Sequence, residues 1–238
     1  MGRPFLTASW RDLIIASFSV PPGLLSDRLL PGLSLDTWKG QACVSLVGFQ
    51  FLETCVRGFR IPGHVNFPEW NLRFYVRRGV DERGVMFIRE FVPRRAISIV
   101  ARTVYNEPYE TVAMRARVDS DAASYTVRRR GRSHDLRVEL DGDPWMPASD
   151  SIEHFFKEHR WGYGADRRGR TLRYEVIHPV WSVRRVTSHT INVDWAELYG
   201  EPWAVMRDQE PLSVVYAVGS AVEVHPAGRL DQPRSALS

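Results

Sequence analysis

Lysine is almost missing from this chain. Of 32 basic residues only Lys39 and Lys157 are lysine, and arginine supplies the rest. Amine chemistry therefore has two places to occur, a turn over residues 37–40 and the face of a helical segment turned away from Phe156. Cysteine is equally scarce. Cys43 and Cys55 stand in apolar, strand-like surroundings with no C-x-x-C spacing, which excludes a disulfide framework and reads as two buried free thiols. No apolar run approaches the roughly 20 residues of a bilayer-crossing helix. The opening Met1-Gly2-Arg3-Pro4-Phe5 lacks the apolar core of a signal peptide, and Thr7 falls one place beyond the hydroxyl that would make Gly2 a lipidation signal. These absences read as a cytoplasmic protein with no membrane partner.

Metal and cofactor motifs are missing too. The seven histidines are scattered, His154 and His159 are five apart and turn away from a common helical face, and no H-E-x-x-H occurs. No P-loop or G-x-G-x-x-G is present; Gly162-Tyr163-Gly164 lacks the third glycine and a preceding strand. A Ser-His-Asp hydrolase would need a G-x-S-x-G elbow, which is absent. No metal and no cofactor are expected. The net charge of +4 and pI near 9.3 would suit a nucleic acid, yet the arginines are dispersed among acids. The densest cluster, Arg128-Arg129-Arg130 with Arg132, is followed by Asp135 and Glu139 and reads as a solvated hairpin tip. Without any nucleic-acid-binding motif, no nucleic-acid partner is expected.

What is present is β patterning. With 44% hydrophobic residues over 238 positions, the chain can bury a substantial core. Period-two and β-branched runs predict strands over 8–20, 41–53, 71–77, 85–92, 96–104, 111–118, 122–129, 135–140, 172–176, 182–192 and 213–224. Glycine-rich turns at 78–84, 130–132, 141–144 and 168–170 separate several of them. Helices are few: 22–30 after its prolines, 149–159 with Ser149 as N-cap and Gly162 as terminator, and one turn over 194–198. Residues 226–238, polar with two prolines, read as a frayed tail on a single domain of residues 1–225.

Alternation over 71–77 puts Asn71, Arg73 and Tyr75 on one face and Leu72, Phe74 and Val76 on the other. The second face is core; the first either lines a wet interior or faces solvent. Over 85–92 the faces are Val85, Phe87, Arg89 and Phe91 against Met86, Ile88, Glu90 and Val92. One charge stands in each apolar row, so each needs a partner. His159 reads either as a cap at a helix C-terminus or as an acid–base group.

Leu30-Pro31-Gly32-Leu33, Val44-Ser45-Leu46-Val47-Gly48-Phe49 and Asn66-Phe67-Pro68-Glu69-Trp70-Asn71-Leu72-Arg73-Phe74-Tyr75-Val76 resemble the uncharacterised YqjF-like family. So do Tyr105-Asn106-Glu107-Pro108-Tyr109, Glu158-His159-Arg160-Trp161-Gly162-Tyr163 and His178-Pro179-Val180-Trp181. That family is placed in the acetoacetate-decarboxylase-like superfamily. The resemblance implies a mostly β (α+β) cone or barrel with a few short helices and a central apolar cavity. In the decarboxylases an Arg-Glu pair precedes Pro-Lys-Lys, and the first lysine forms a Schiff base. This chain reads Arg89-Glu90, then Phe91-Val92, then Pro93-Arg94-Arg95, with a spacer two residues shorter. Arg94 takes the nucleophile's place and Arg95 its neighbour's. A guanidinium cannot form an imine, but it grips carboxylates. The resemblance also implies a pocket arginine matching Arg11, with Glu53 or Glu69 as its acidic partner. The expected function is binding of a small carboxylate or keto acid by a site of Arg94, Glu90, Arg11, Asn71, Arg73 and Arg95, with any reaction independent of a Schiff base. The alternative is a non-catalytic module whose arginines serve internal ion pairs. A homo-oligomer stays open in either case.

Overall fold

The structure, a computed structural model, describes residues 2–94 and 108–230. In chain order it contains β1 (Leu6–Ser19), α1 (Gly23–Ser26), β2 (Ser34–Leu35), β3 (Cys43–Val56), β4 (Phe67–Arg78), β5 (Glu82–Val92), β6 (Tyr109–Thr111), β7 (Ala113–Val118), β8 (Ala122–Arg129) and β9 (Arg132–Trp145). There follow α2 (Ile152–Lys157), β10 (Trp161–Ala165), β11 (Thr171–Ile177), β12 (Val183–Asn192), α3 (Trp195–Tyr199), a 3-10 turn (Glu201–Met206), β13 (Ser213–Val224) and β14 (Gly228–Arg229). No helix among the described residues is long and apolar enough to cross a membrane.

All strands belong to one sheet, ordered β14-β11-β10-β5-β4-β3-β1-β13-β12-β9-β8-β7, with β2 attached to β4 and β6 to β5. A further pairing of Val176 with Val224 and Ile177 with Glu223 joins β11 to β13. It closes β11, β10, β5, β4, β3, β1 and β13 into a ring. The remaining strands β12, β9, β8 and β7 continue from β13 as an antiparallel extension.

The middle of β1 and the first half of β3 are buried on both faces, Leu13–Phe18 and Cys43–Phe49, and there the two strands read as mostly apolar runs. Alternate residues serve two cores. Ile14, Leu46, Trp70, Leu72 and Phe74 pack against Tyr125, Val127, Leu136 and Val138 of the extension. Leu13, Val47, Phe49, Phe67 and Tyr75 face the other way, toward Phe156 and Trp181.

Several expectations change. The strand expected over 111–118 divides at Val112: β6 runs parallel to β5, whereas β7 pairs with β8. The helix expected over 149–159 is shorter, capped by Ser151, whose hydroxyl accepts from His154 N at 3.1 Å. Gly162 does not terminate it but sits in β10, where a Cβ would lie 2.1 Å from Tyr174 Cζ. Close packing against a ring, not a helix end, is what requires that glycine. The helix expected over 22–30 spans four residues, with Leu25 its only buried one. Past Pro226, β14 pairs with β11 through Leu172 and Arg173. The strand expected over 96–104 lies outside the described residues.

Candidate functional site

The inner face of β4 carries Phe67, Glu69, Asn71 and Arg73 in strict alternation, and all four line a cavity of about 140 Å³. Aromatic side chains from neighbouring strands form a large part of its wall: Trp10 of β1, Phe49 and Phe51 of β3, Phe87 of β5 and Tyr174 of β11. Ile61 and His64, in the loop between β3 and β4, complete it on one side. The cavity thus has an apolar body and one polar end, the usual form of a small-molecule site.

Two irregularities aim these side chains. In β1 the register on β3 shifts between Arg11 and Ile14, and Asp12 adopts φ 59°. Trp10 and Leu13 consequently both face the cavity. In β5 the register on β4 shifts between Leu72 and Arg73, which oppose Arg89 and Phe87. This bulge corrects the simple alternation expected for β5. Val85, Phe87, Glu90 and Val92 share the inner face, whereas Met86, Ile88, Arg89 and Phe91 share the outer one. Glu90 therefore stands inside, opposite Asn71, and is 1% exposed.

Glu69 lies at the polar end, 2% exposed. Asn71 Nδ2 donates to its Oε1 at 3.0 Å and the Tyr109 hydroxyl to its Oε2 at 3.1 Å. Burial pushes the Glu69 carboxyl up to about 7, while the bonds from Asn71 and Tyr109 and the charge of Arg73 pull it back. Of the two acids weighed as pocket partners, Glu69 is thus the one inside. Glu53 is exposed and lies 3.8 Å from Arg60.

Arg73 Nη2 donates to Phe156 O at 3.0 Å, and the Tyr75 hydroxyl donates to the same carbonyl at 3.4 Å. Tyr75 is held in turn by Ser45, and Ser45 by Ser17 at 2.6 Å. The α2 segment therefore anchors Arg73 from behind. Two buried atoms of this group, Asn71 Oδ1 and Arg73 Nε, have no hydrogen-bond partner among the described residues. Buried polar atoms in native proteins are normally paired, so these two stand ready for a ligand or for water.

The expected site residues are placed unevenly. Asn71, Arg73 and Glu90 line the cavity. Arg11, half-buried on β1, donates to Gly219 O at 3.2 Å beside the Asp12 irregularity. Arg94 is exposed, and its Nη1 would lie 3.7 Å from a Cβ at Gly63, in the loop that carries Ile61 and His64. Arg95 lies outside the described residues. Lys157 is buried, with Nζ 2.5 Å from Glu158 Oε1, and is not among the described residues lining the cavity. His159 is no helix cap. It sits against Tyr75 with ring centroids 4.8 Å apart, and burial, then Arg83 and Arg73, hold its pKa well below the ordinary value. No cluster of histidine, cysteine and acidic residues fit for a metal occurs among the described residues.

Sequence reasoning did not single out Tyr109 or the aromatic wall. The signal was present in the row Val47, Phe49, Phe51 and in its counterpart Phe67, Glu69, Asn71, which carries the inner face two steps earlier than the strand expected from 71 onward.

The family model of DUF2071, described as an uncharacterized conserved protein, matches residues 7–221. The uncharacterized protein YqjF of Bacillus subtilis is 29% identical over 181 residues, 74% of each chain. Among solved structures, an acetoacetate decarboxylase from Legionella pneumophila superposes with a TM-score of 0.69 at 11% identity, covering 96% of this chain and 88% of that one. The enduracididine biosynthesis enzyme MppR complexed with pyruvate gives 0.67 at 14% identity, covering 97% and 92%. These likenesses establish an acetoacetate-decarboxylase-like fold, and with the match over nearly its whole length the chain belongs to the uncharacterised DUF2071, YqjF-like family.

Proposed function

We propose that the cavity binds a small carboxylate or keto acid, without lysine Schiff-base chemistry. The observation that carries this reading is a pair of buried atoms without partners among the described residues, at the polar end of a mostly apolar cavity, Arg73 Nε as donor and Asn71 Oδ1 as acceptor. A ligand carboxylate accepts a charge-assisted hydrogen bond from Arg73 Nε–H. The aromatic wall covers its apolar part. Arg94 stands beside the loop at Ile61 and His64 and draws anions toward the cavity. Arg11 shapes the wall through the irregularity that turns Trp10 and Leu13 inward, and Arg95 completes the proposed set. A fold neighbour was solved with pyruvate, a keto acid, which supports the ligand class.

A second reading is favoured by other arginines. Arg83 pairs with Asp36 at 2.6 Å and Arg173 with Glu82 at 2.7 Å, as expected of a non-catalytic module with internal ion pairs. Thermal unfolding with small carboxylates, keto acids and neutral analogues separates the two. At about 100 times its dissociation constant a ligand stabilises the wild type by about 2.7 kcal/mol. Acids should shift the wild-type melt, neutral analogues should not, Arg73→Met should abolish the shift and Arg94→Met should weaken it. A wild type indifferent to every acid would leave only the second reading.

A further inference from the structure

Glu69 differs from two other carboxyl groups, Asp36 and Glu158, in what surrounds it. Asp36 is 2.6 Å from the Arg83 guanidinium and Glu158 is 2.5 Å from the Lys157 amine. Each of these carboxylates has a cation as its ion-pair partner. The two side chains that donate hydrogen bonds to Glu69 among the described residues are neutral, the Asn71 amide and the Tyr109 phenol. They orient the carboxyl and leave it able to take up and release a proton. Asn71 Oδ1 adds a second requirement. It is an acceptor, so a bound carboxylate leaves it unsatisfied, and a ligand that also carries an N–H or O–H donor fills it. A 2-keto acid has no such donor in its keto form and gains one in its enol form.

We infer that Glu69 is the acid–base residue of the cavity and that the protein interconverts the keto and enol forms of a 2-keto acid with an apolar side chain. This inference rests on the acid-binding reading above. The Glu69 carboxylate removes a proton from C3. The C3–H electron pair becomes the C2=C3 double bond, and the carbonyl π pair moves onto the C2 oxygen, whose charge falls against Arg73. Glu69 then returns the proton to that oxygen, and the resulting hydroxyl donates to Asn71 Oδ1. Nothing is oxidised or reduced, and the reverse path restores the ketone. Asn71 Oδ1 binds the enol and not the ketone, which is the differential binding that catalysis requires. The aromatic wall of Trp10, Phe49, Phe51 and Phe87 favours branched or aryl side chains over charged ones.

Proton NMR in D2O tests this with 4-methyl-2-oxopentanoate, whose C3–H signal disappears when the enol forms and reverts. The wild type should accelerate that loss on the order of 10²-fold or more over buffer. The rate should rise as pH passes through about 7, where the Glu69 carboxylate forms. Glu69→Gln should abolish the exchange while the acid still shifts the melting temperature, and Glu69→Asp should retain a slower exchange. Exchange at the buffer rate in a wild type that the acid does stabilise overturns the inference and leaves the binding reading standing. So does exchange at the wild-type rate in Glu69→Gln. A wild type that no acid stabilises overturns both.

Discussion

Tyr109 and Glu110 are consecutive residues of β6, and they enter two polar clusters on opposite faces of one sheet, the inner one buried and the outer one half-buried. Tyr109 points inward to Glu69. Glu110 points outward to Arg129, with Oε1 2.7 Å from Nε. The outer cluster gathers charges from several elements: Arg129 Nη1 lies 2.6 Å from Glu197 of α3, and His134 of β9 lies 3.1 Å from the same carboxylate. Asp194 caps α3 by accepting from Glu197 N at 3.0 Å and pairs with Arg132. Here the ions neutralise one another and cross-link β6, β8, β9 and α3. The inner cluster holds Glu69 by two neutral donors, Asn71 and Tyr109, and two of its buried atoms, Asn71 Oδ1 and Arg73 Nε, have no partner among the described residues. The same sheet therefore carries one polar cluster that serves the fold and one that awaits something else.

The comparison breaks first at Arg129. Arg129→Met removes the cation between Glu110 and Glu197 and leaves two carboxylates facing each other in a half-buried place. Loss of one partner from such a network is expected to cost about 3–4 kcal/mol, read as a fall in the urea midpoint. Adding Glu197→Gln should restore part of it, because the repulsion then disappears. A loss below about 1 kcal/mol would mean the outer cluster is no more structural than a surface ion pair.

The two clusters were not equally legible in the sequence. Period-two patterning located most strands, with 122–129 and 213–224 matching β8 and β13 to the residue. The mixed face of β4 was visible too, because a phenol, a guanidinium and an amide at alternate positions stand out against the apolar row opposite. What period two does not contain is an insertion. The β5 bulge moves Glu90 to the face of Phe87, and the irregularity at Asp12 moves Leu13 to the face of Trp10, both by register on a partner strand distant in sequence. Nor does it contain a contact such as Tyr174 on Gly162, which turns an apparent helix stop into a strand. The outer cluster was hidden for the same reason: Glu110, Arg129 and Glu197 are remote in the chain, and only pairing joins them.

The next largest effect sharpens the inner half of the comparison. Glu69 is raised from 4.5 to about 7 by burial, so the native protein binds a proton that the unfolded chain releases between those values. The stability tied to that proton is fully present below pH 4.5 and is lost as pH rises through about 7. Glu69→Gln does not titrate. Its stability relative to the wild type should therefore climb across that window and level off above it, with a total change on the order of 3 kcal/mol. Urea midpoints of both proteins at pH 5, 6, 7 and 8 check this. A constant difference would show Glu69 ionised throughout, as in a paired carboxylate of the outer kind.

The smallest effect sets one histidine of each region against the other. Burial lowers the pKa of both His134 and His159. His134 is pulled back by the Glu197, Asp194 and Asp135 carboxylates around it. His159 has Arg83 Nη2 3.5 Å from its Nε2, and Arg73, His178 and His154 add to the same positive surroundings. The nearby acids are already engaged, Asp36 by Arg83 and Glu158 by Lys157. Protonating His159 would thus place a cation among cations directly behind the Phe156 carbonyl that holds Arg73. The unfolded chain takes up that proton below about pH 6.5 and the native protein resists it, so stability falls as pH drops through that value. Between pH 6.5 and 5.5 the wild type should lose about 1 kcal/mol relative to His159→Gln. His134→Gln should remove less of the slope, because its carboxylates accept the charge. Equal slopes in the two variants would show that acids and bases around a buried histidine count for less than its burial, and the contrast between the two faces would then rest on Glu69 alone.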